Sequence, residues 1–464
     1  MGNKKNRPYK LPEMLLCDKE REITIDLVYE FIRKHEERLP RYEYLENLYI
    51  GFHNIFKLPE KEGWKPDNRL AVNFPKYVTD VFLGFGYGNP VKKVHEDKTI
   101  NDAITAFDDL NCMQDHDFEM AKNVCKYGHS FEYFYQDEEA NTRVSENTPK
   151  ELFVVYENSL SKKAYFAVRY GVKDDGFTKY GEILTKEKII DFEGKKFTEE
   201  RPNNYGKIPV VEWIMNEERM SLYEEIAGIT EIFNNTIGEK ANDVESFAEA
   251  YLAILGAEID EEGVYKIRDN RIINLYGTDN AKDILVQFLQ KPTADGTQEN
   301  LLDRLERLAH KISMIPDINS ESFGNASGVA LEYKLQPMSN LAKNLDRKII
   351  KSMKKRYKIF CTLSANVPNK DAWKGIEFTT VRNLPKNNLE EAQTASQLEG
   401  IVSKETQLKV LSIVEDVKAE LERIEKEKKQ EEESIVDKRM FGFGGQEQQA
   451  QQVQGPEQEG LNNE

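Results

Sequence analysis

Lys126–Gln136 reads KYGHSFEYFYQ, and near Gly128 the hydrophobic pattern of the chain changes from a helical period to alternation. After the glycine, Phe131, Tyr133 and Tyr135 alternate with Glu132 and Phe134, the period of two that a strand imposes. Leu152–Tyr156, Ala164–Tyr170, Gly181–Leu184 and Lys188–Phe192 are further short runs of β-branched and aromatic residues, punctuated by Gly, Asp and Asn. Gly128–Met215 therefore reads as an antiparallel β-rich unit.

On its N-terminal side the period is helical. Ile23, Leu27, Phe31 and Ile32 share one face of an amphipathic helix, Glu22–Arg38, limited by Pro40. A second helix carries Tyr42, Leu45, Leu48 and Tyr49, and a polar connection, Lys57–Asp67, follows. Asn68–Pro90 begins extended, continues as a helix through Phe74–Phe82 and ends at a glycine-rich turn, Gly84, Gly86 and Gly88. Ile100–Tyr127 reads as two more helices.

On its C-terminal side the helical period returns at Glu217. Leu222, Ile226, Ile229, Phe233 and Ile237 predict a long helix, broken near Gly238. Short strands are expected at Val264–Arg268, Arg271–Tyr276 and Ile284–Leu289. Leu301, Leu305, Leu308 and Ile312 then mark a helix closed by Pro316. Asp317–Gly328, DINSESFGNASG, is a polar loop whose composition cannot bury a core. Val329–Leu363 is a long helical pattern with a kink expected at Pro337, Ile376–Val381 a strand, and Asn388 to about Gln430 helical again, with Ser403 and Thr406 near a helix start. The end, Phe441–Glu464, is rich in Gly, Gln and Glu and is expected to be disordered. The fold class is α+β, mainly helical.

Of the 464 residues, 39% are hydrophobic and 32% charged, polar for one compact globule and suited to an elongated or oligomeric chain. The net charge is −17, from 65 Lys+Arg against 82 Asp+Glu, so a tight nucleic-acid grip is not expected. Cys17, Cys112, Cys125 and Cys361 form no CxxC pair and the six histidines are scattered, so zinc-ligand spacing is missing and free thiols are expected. Met1–Lys10 is basic but no apolar segment of a signal peptide follows, and no run approaches a membrane span. No membrane partner is expected.

The motif search points away from catalysis. Gly84–Gly88 lacks the lysine of a phosphate loop, and its helix precedes it instead of following. Asp108/Asp109, Asp174/Asp175 and Glu261/Glu262 sit in turns or on polar faces, and neither GxSxG nor HExxH occurs. No catalytic, cofactor or metal residue is assigned, and the chain is not expected to be an enzyme. The long helix after the loop carries Lys343, Arg347, Lys348, Lys351, Lys354, Lys355, Arg356 and Lys358, opposite an apolar stripe of Leu341, Leu345, Ile349, Met353 and Tyr357. Arg347, Lys351, Lys354, Lys355 and Lys358 form either a solvated or inter-subunit face or a contact to DNA phosphates. Glu217, Glu218, Glu224, Glu225, Glu231, Glu239, Asp243, Glu245 and Glu249 suggest a solvent-facing flank on the earlier long helix.

Three segments together resemble the portal proteins of long-tailed bacteriophages: VNFPKYVTDVFLGFGYGNPV at Val72–Val91, ERMSLYEEIAGITEIFNNTIGEKANDVESFAEAYLAILG at Glu218–Gly256, and FTTVRNLPKNNLEEAQTASQLEGIVSKETQLKVLSIVEDVKAELERI at Phe378–Ile424. The resemblance runs from about residue 20 to 430. It implies a ring of usually twelve subunits at one capsid vertex, with wing (1–215 and 329–385), stem helices (216–247 and 295–316), clip (248–294), tunnel loop (317–328), helical crown (386–430) and a disordered tail (431–464). It implies a virion protein, made in the bacterial host cytoplasm, that nucleates the capsid with scaffold and major capsid proteins. It would dock the terminase large subunit and later head-completion or adaptor proteins, and conduct double-stranded DNA. Asn319, Ser320, Ser322, Asn325 and Ser327 would face the channel; Tyr265, Arg268, Arg271 and Tyr276 would form the clip's partner surface. A non-channel structural or adaptor protein of a viral assembly is the alternative.

Overall fold

The computed structural model describes residues 9, 11–61, 66–248, 252–255, 285–288, 295–320, 323, 328–383, 388–411, 413–414 and 417–441. The chain divides into two units, residues 1–383 and 384–464.

The first unit is built on two sheets. The larger has six strands: β1 Leu15–Cys17, β5 Leu152–Glu157, β6 Ala164–Val172, β7 Lys179–Leu184, β8 Lys188–Glu193 and β9 Lys196–Pro202, in that spatial order. It is antiparallel except that β1 runs parallel to β5, Leu15 opposite Val155. The smaller sheet orders β10 Val210–Ile214, β3 His129–Gln136 and β4 Thr142–Asn147. Alternation dictates what covers the six strands. Phe153, Val155, Phe166, Val168, Ile183, Ile190 and Phe192 face one side, where helix α1, Ile25–Glu36, buries Leu27, Val28, Phe31 and Ile32. Leu152, Val154, Ala167, Leu184 and Ile189 face the other, where they meet Phe131, Tyr133 and Val210 of the smaller sheet. Each large side chain buried there stabilises by roughly 1.5–3 kcal/mol.

The helical core lies on the remaining face of the smaller sheet. It gathers α2 Leu39–Ile50, α3 Phe74–Tyr87, α4 Lys98–Leu110, α5 Met113–Tyr127, α6 Ala227–Ala248, α7 Asp295–Ser313 and α8 Gly328–Phe360. The stripe predicted on α8 is buried at Leu345, Ile349, Met353 and Tyr357. Strand β2, Lys92–Val94, pairs antiparallel with β13, Glu377–Thr379, and β11, Leu252–Leu255, with β12, Leu285–Phe288.

Several local expectations change. The helix α3 does not stop at Gly84 but runs through Gly84 and Gly86 to Tyr87. Burial of Phe82, Leu83, Phe85 and Tyr87 against the core overrides the low helix propensity of glycine. The long helix begins at Ala227, because residues 217–226 form turns held by Arg41, which donates to the Arg219 carbonyl at 2.9 Å and to Glu224. It is unbroken at Gly238, where a Cβ would lie 2.9 Å from Ile55 Cδ1 and 3.1 Å from the Asn68 carbonyl. That glycine permits close packing instead of ending a helix. Gly128, at φ +87°, closes α5 in the left-handed region, and a Cβ there would meet the Arg219 carbonyl at 2.0 Å. Pro337 lies inside α8. All four cysteines are unpaired, and only Cys112 among them is exposed. Strands β4, β9 and β10 lacked a clear sequence signal.

The second unit holds α9 Asn388–Gln397, α10 Lys404–Lys409 and α11 Val417–Phe441. The Ser403 hydroxyl caps α10 by accepting from the Thr406 amide at 3.3 Å. Helix α11 continues past Gln430 to Phe441, into the segment expected to be disordered.

Candidate functional site

Helix α8 supplies the basic face, and its two sides behave differently. Lys343, Arg347, Lys351, Lys354, Lys355 and Lys358 are exposed. Among the described residues, Arg347, Lys351, Lys354 and Lys355 make no ion pair, while Lys348 meets Glu217. The Lys358 ammonium rests 5.1 Å from the Trp373 ring centroid. Arg356, grouped with these cations by sequence, is fully buried instead. Its Nε donates to Glu132 Oε1 at 2.8 Å, and Nη1 and Nη2 approach Asp117 and Glu132 at 2.6 Å as ion pairs. The Trp213 ring lies beneath the guanidinium, 4.8 Å to its centroid. Burial alone would raise the Glu132 carboxyl; Arg356 and the bond from His116 outweigh it and hold the pKa down to about 2.

A second buried hub centres on Glu212 of β10. His129 Nδ1 lies 3.0 Å away, Arg219 donates from Nε at 2.7 Å and Nη2 at 2.9 Å, and the Tyr156 hydroxyl also donates. The Glu212 carboxylate can only accept, so His129 Nδ1 carries the proton, and Nε2 of the neutral ring accepts from the Tyr42 hydroxyl at 2.9 Å. Burial drives the His129 pKa down to about 4, and the ring is neutral near pH 7. His35 is likewise buried, bonded to Tyr170 and the Pro149 carbonyl, with its pKa lowered to about 3 by burial.

Of the acidic residues near and along α6, Glu217, Glu218, Glu225, Glu239 and Glu245 are exposed, as a solvated flank requires, whereas Glu224, Glu231 and Asp243 are half-buried. Glu224 takes two bonds from the buried Arg41, at 2.9 and 2.5 Å. Glu239 pairs with Lys61 at 2.9 Å, and Glu245 accepts from Asn68.

The polar loop after α7 is described at its root. The Ile318 amide donates to the Tyr77 hydroxyl of α3 at 3.1 Å, and the Asn319 amide to Asp317 Oδ1 at 3.0 Å. The Ser320 hydroxyl donates to the Asp317 carbonyl at 3.0 Å. Ser322, Asn325 and Ser327 lie outside the described residues, as do Tyr265, Arg268, Arg271 and Tyr276. Among the described residues, one candidate metal-ligand set lies at this root: a ring nitrogen of His310 and one carboxylate oxygen each from Glu306 and Asp317 lie within 4.8 Å of one another.

Sequence patterning also missed an apolar surface. Ile50, Phe52, Phe56, Leu58, Leu70 and Val72 are between 36% and 63% exposed. Phe52 and Phe56 stack at 6.3 Å, and Arg69 donates to the carbonyls of Phe56, Leu58 and Pro59, joining the two segments. Single apolar positions carry no signal of exposure; only the clustering does. Glu132 and Glu212 were visible as acids inside apolar strands, a pattern that demands buried partners.

Buried ion pairs thus lock helices to sheets, while an apolar and a basic surface stay exposed. The chain belongs to the family of SPP1 Gp6-like phage portal proteins, whose model matches residues 30–434. It is similar to the portal protein of Bacillus phage SPP1, 24% identical over 399 residues that cover 79% of this chain and 77% of that one. It is also similar to the portal protein of Clostridium phage phiCD119, 22% identical over 406 residues, covering 80% and 87%. It is thus a phage portal protein, a structural component of the virion. No described helix is long and apolar enough to cross a membrane.

Proposed function

We propose that twelve copies close into a ring at one capsid vertex and that double-stranded DNA passes through it in packaging and ejection. The terminase large subunit, then head-completion or adaptor proteins, dock on the clip at 248–294. Scaffold and major capsid proteins meet the wing, which comprises 1–215 and 329–385. Helices α6 and α7 serve as the stem, 317–328 as the tunnel loop and 386–430 as the crown. The chain acts without catalysis; ATP hydrolysis belongs to the motor.

The observation that carries this reading is the apolar surface of Ile50, Phe52, Phe56, Leu58, Leu70 and Val72, which a soluble subunit covers by assembling. Charge agrees with a conduit that must not grip its cargo. Twelve copies at −17 carry roughly −200, so phosphates are repelled overall. Tight phosphate contacts would have to be broken at each step. Negative-stain microscopy and mass photometry test the proposal: rings with a central pore are expected, and Phe52→Glu with Phe56→Glu should shift the population to monomers. A wild-type chain that stays monomeric in every condition overturns the ring. Rings unaffected by the double variant overturn the apolar contact.

A further inference from the structure

We propose that Glu306, His310 and Asp317 bind one divalent transition-metal ion, which fastens the root of the 317–328 segment to the end of α7. Glu306 and His310 are four residues apart on the helix and so share a face. Asp317 comes seven residues later, about 10 Å further along the axis if the helix continued. It does not continue: Met314 adopts φ +61°, a left-handed conformation that leads the chain back. The three donor groups then converge, each within 4.8 Å of the others.

The histidine is held as a ligand histidine would be. Its Nδ1 lies 3.1 Å from the Ile315 carbonyl oxygen, which can only accept, so Nδ1 donates there and Nε2 is the nitrogen left for a metal ion. A backbone carbonyl bonded to one ring nitrogen is the usual partner that orients a metal-bound imidazole. Phe74 and Tyr77 fix the ring plane further, edge-to-face at 6.1 and 5.6 Å. Among the described residues, Glu306 and Asp317 make no ion pair, and Asp317 Oδ1 accepts from the Asn319 amide. The site therefore offers two carboxylates and an imidazole nitrogen to a divalent cation.

The donor set selects the metal class. Ca²⁺ takes six to eight oxygens and Mg²⁺ favours oxygen and water. One imidazole with two carboxylates suits Zn²⁺ and its neighbours, with a coordination position left for water. Zinc bonds near 2 Å place tetrahedral donors about 3.3 Å apart, so closure from 4.8 Å needs a shift of up to about 1.5 Å, within the reach of the Glu306 side chain. The proposal does not depend on the channel reading: ion binding is measured on the protein whether or not it forms a ring.

The test uses the full chain without a histidine tag, stripped with chelator and titrated with Zn²⁺ by calorimetry, with metal content counted after dialysis. One ion per subunit and a Zn²⁺-dependent rise in Tm are expected. Glu306→Gln and Asp317→Asn keep the shape of the site and the packing of His310, and each should weaken binding by about tenfold or more. His310→Ala should abolish it, with Co²⁺ spectra losing their ligand-field bands. Absence of a saturable Zn²⁺ site in the wild-type chain overturns the proposal. So does unchanged binding in both Glu306→Gln and Asp317→Asn.

Discussion

Replacing Arg356 by Met removes the cation beneath α8 while keeping much of its length. Arg356 and Glu132 are both 0% exposed, and Asp117 also faces the guanidinium. The substitution leaves a buried carboxylate without its main partner, a loss of about 3–5 kcal/mol. The unit spans residues 1–383. At about 2.1 cal/mol/K per residue, its unfolding entropy is near 0.8 kcal/mol/K, so the expected drop in Tm is roughly 4–6 °C. Differential scanning calorimetry at one fixed protein concentration reads it, since assembly itself shifts Tm. The double variant Glu132→Gln with Arg356→Met should recover part of the loss, because no charge is then stranded on β3. The acid profile supplies a second readout. The Glu132 carboxyl is lowered from 4.5 to about 2, so its stabilising contribution is present above pH 4.5 and lost as pH falls through 2. In Arg356→Met that dependence should flatten. A Tm drop below about 1 °C, or a double variant no better than the single one, would refute the reasoning.

His129 and His35 are held neutral by burial, with pKa values lowered to about 4 and about 3, so the unfolded chain takes up protons first. Stability should fall as pH drops from 6.5 towards 4, by about 2 kcal/mol per histidine at pH 5, and a Tm that is flat between pH 7 and 5 contradicts this. Gly128→Ala places a methyl group against the Arg219 carbonyl at positive φ and should cost more than about 2 kcal/mol in denaturant unfolding; a neutral effect would deny that close approach. Charge reversal at Lys351 and Lys355 should disturb assembly or DNA packaging, whereas wild-type packaging assigns that face to solvent. Deleting 319–328 should leave rings intact but impair packaging, read as DNA protected from nuclease, and normal protection rejects the tunnel-loop role.

Local periodicity carried much of the architecture. The switch at Gly128, the Leu27–Phe31–Ile32 face of α1 and the α8 stripe could all be read, because burial follows spacing within one element. Errors arose where a residue answers to a distant one. Arg356 looks like its exposed neighbours until Glu132 is placed beneath it, and Glu224 looks solvated until Arg41 reaches it. Gly84 and Gly238 read as helix ends, yet packing keeps both helices running. Of the candidate channel residues, only Asn319 and Ser320 fall where the structure gives partners, and those partners are Asp317 and, through Ile318, Tyr77. The fastening of the loop root was not legible, because Tyr77 lies 241 residues from Ile318.

The Arg356–Glu132 pair also sets a schedule. Its partners are 224 residues apart, so at 5–20 residues per second the ribosome delivers Arg356 roughly 10–45 seconds after Glu132. Throughout that interval β3 can pair with β4 and β10, but the surface destined for α8 stays uncovered, Trp213 included. The Glu132 carboxylate, with His116 but without its guanidinium, then stands among Phe131, Tyr133 and Phe134. Until α8 arrives, that carboxylate would discourage neighbouring polypeptides on the same message from adding a strand or a helix to the surface.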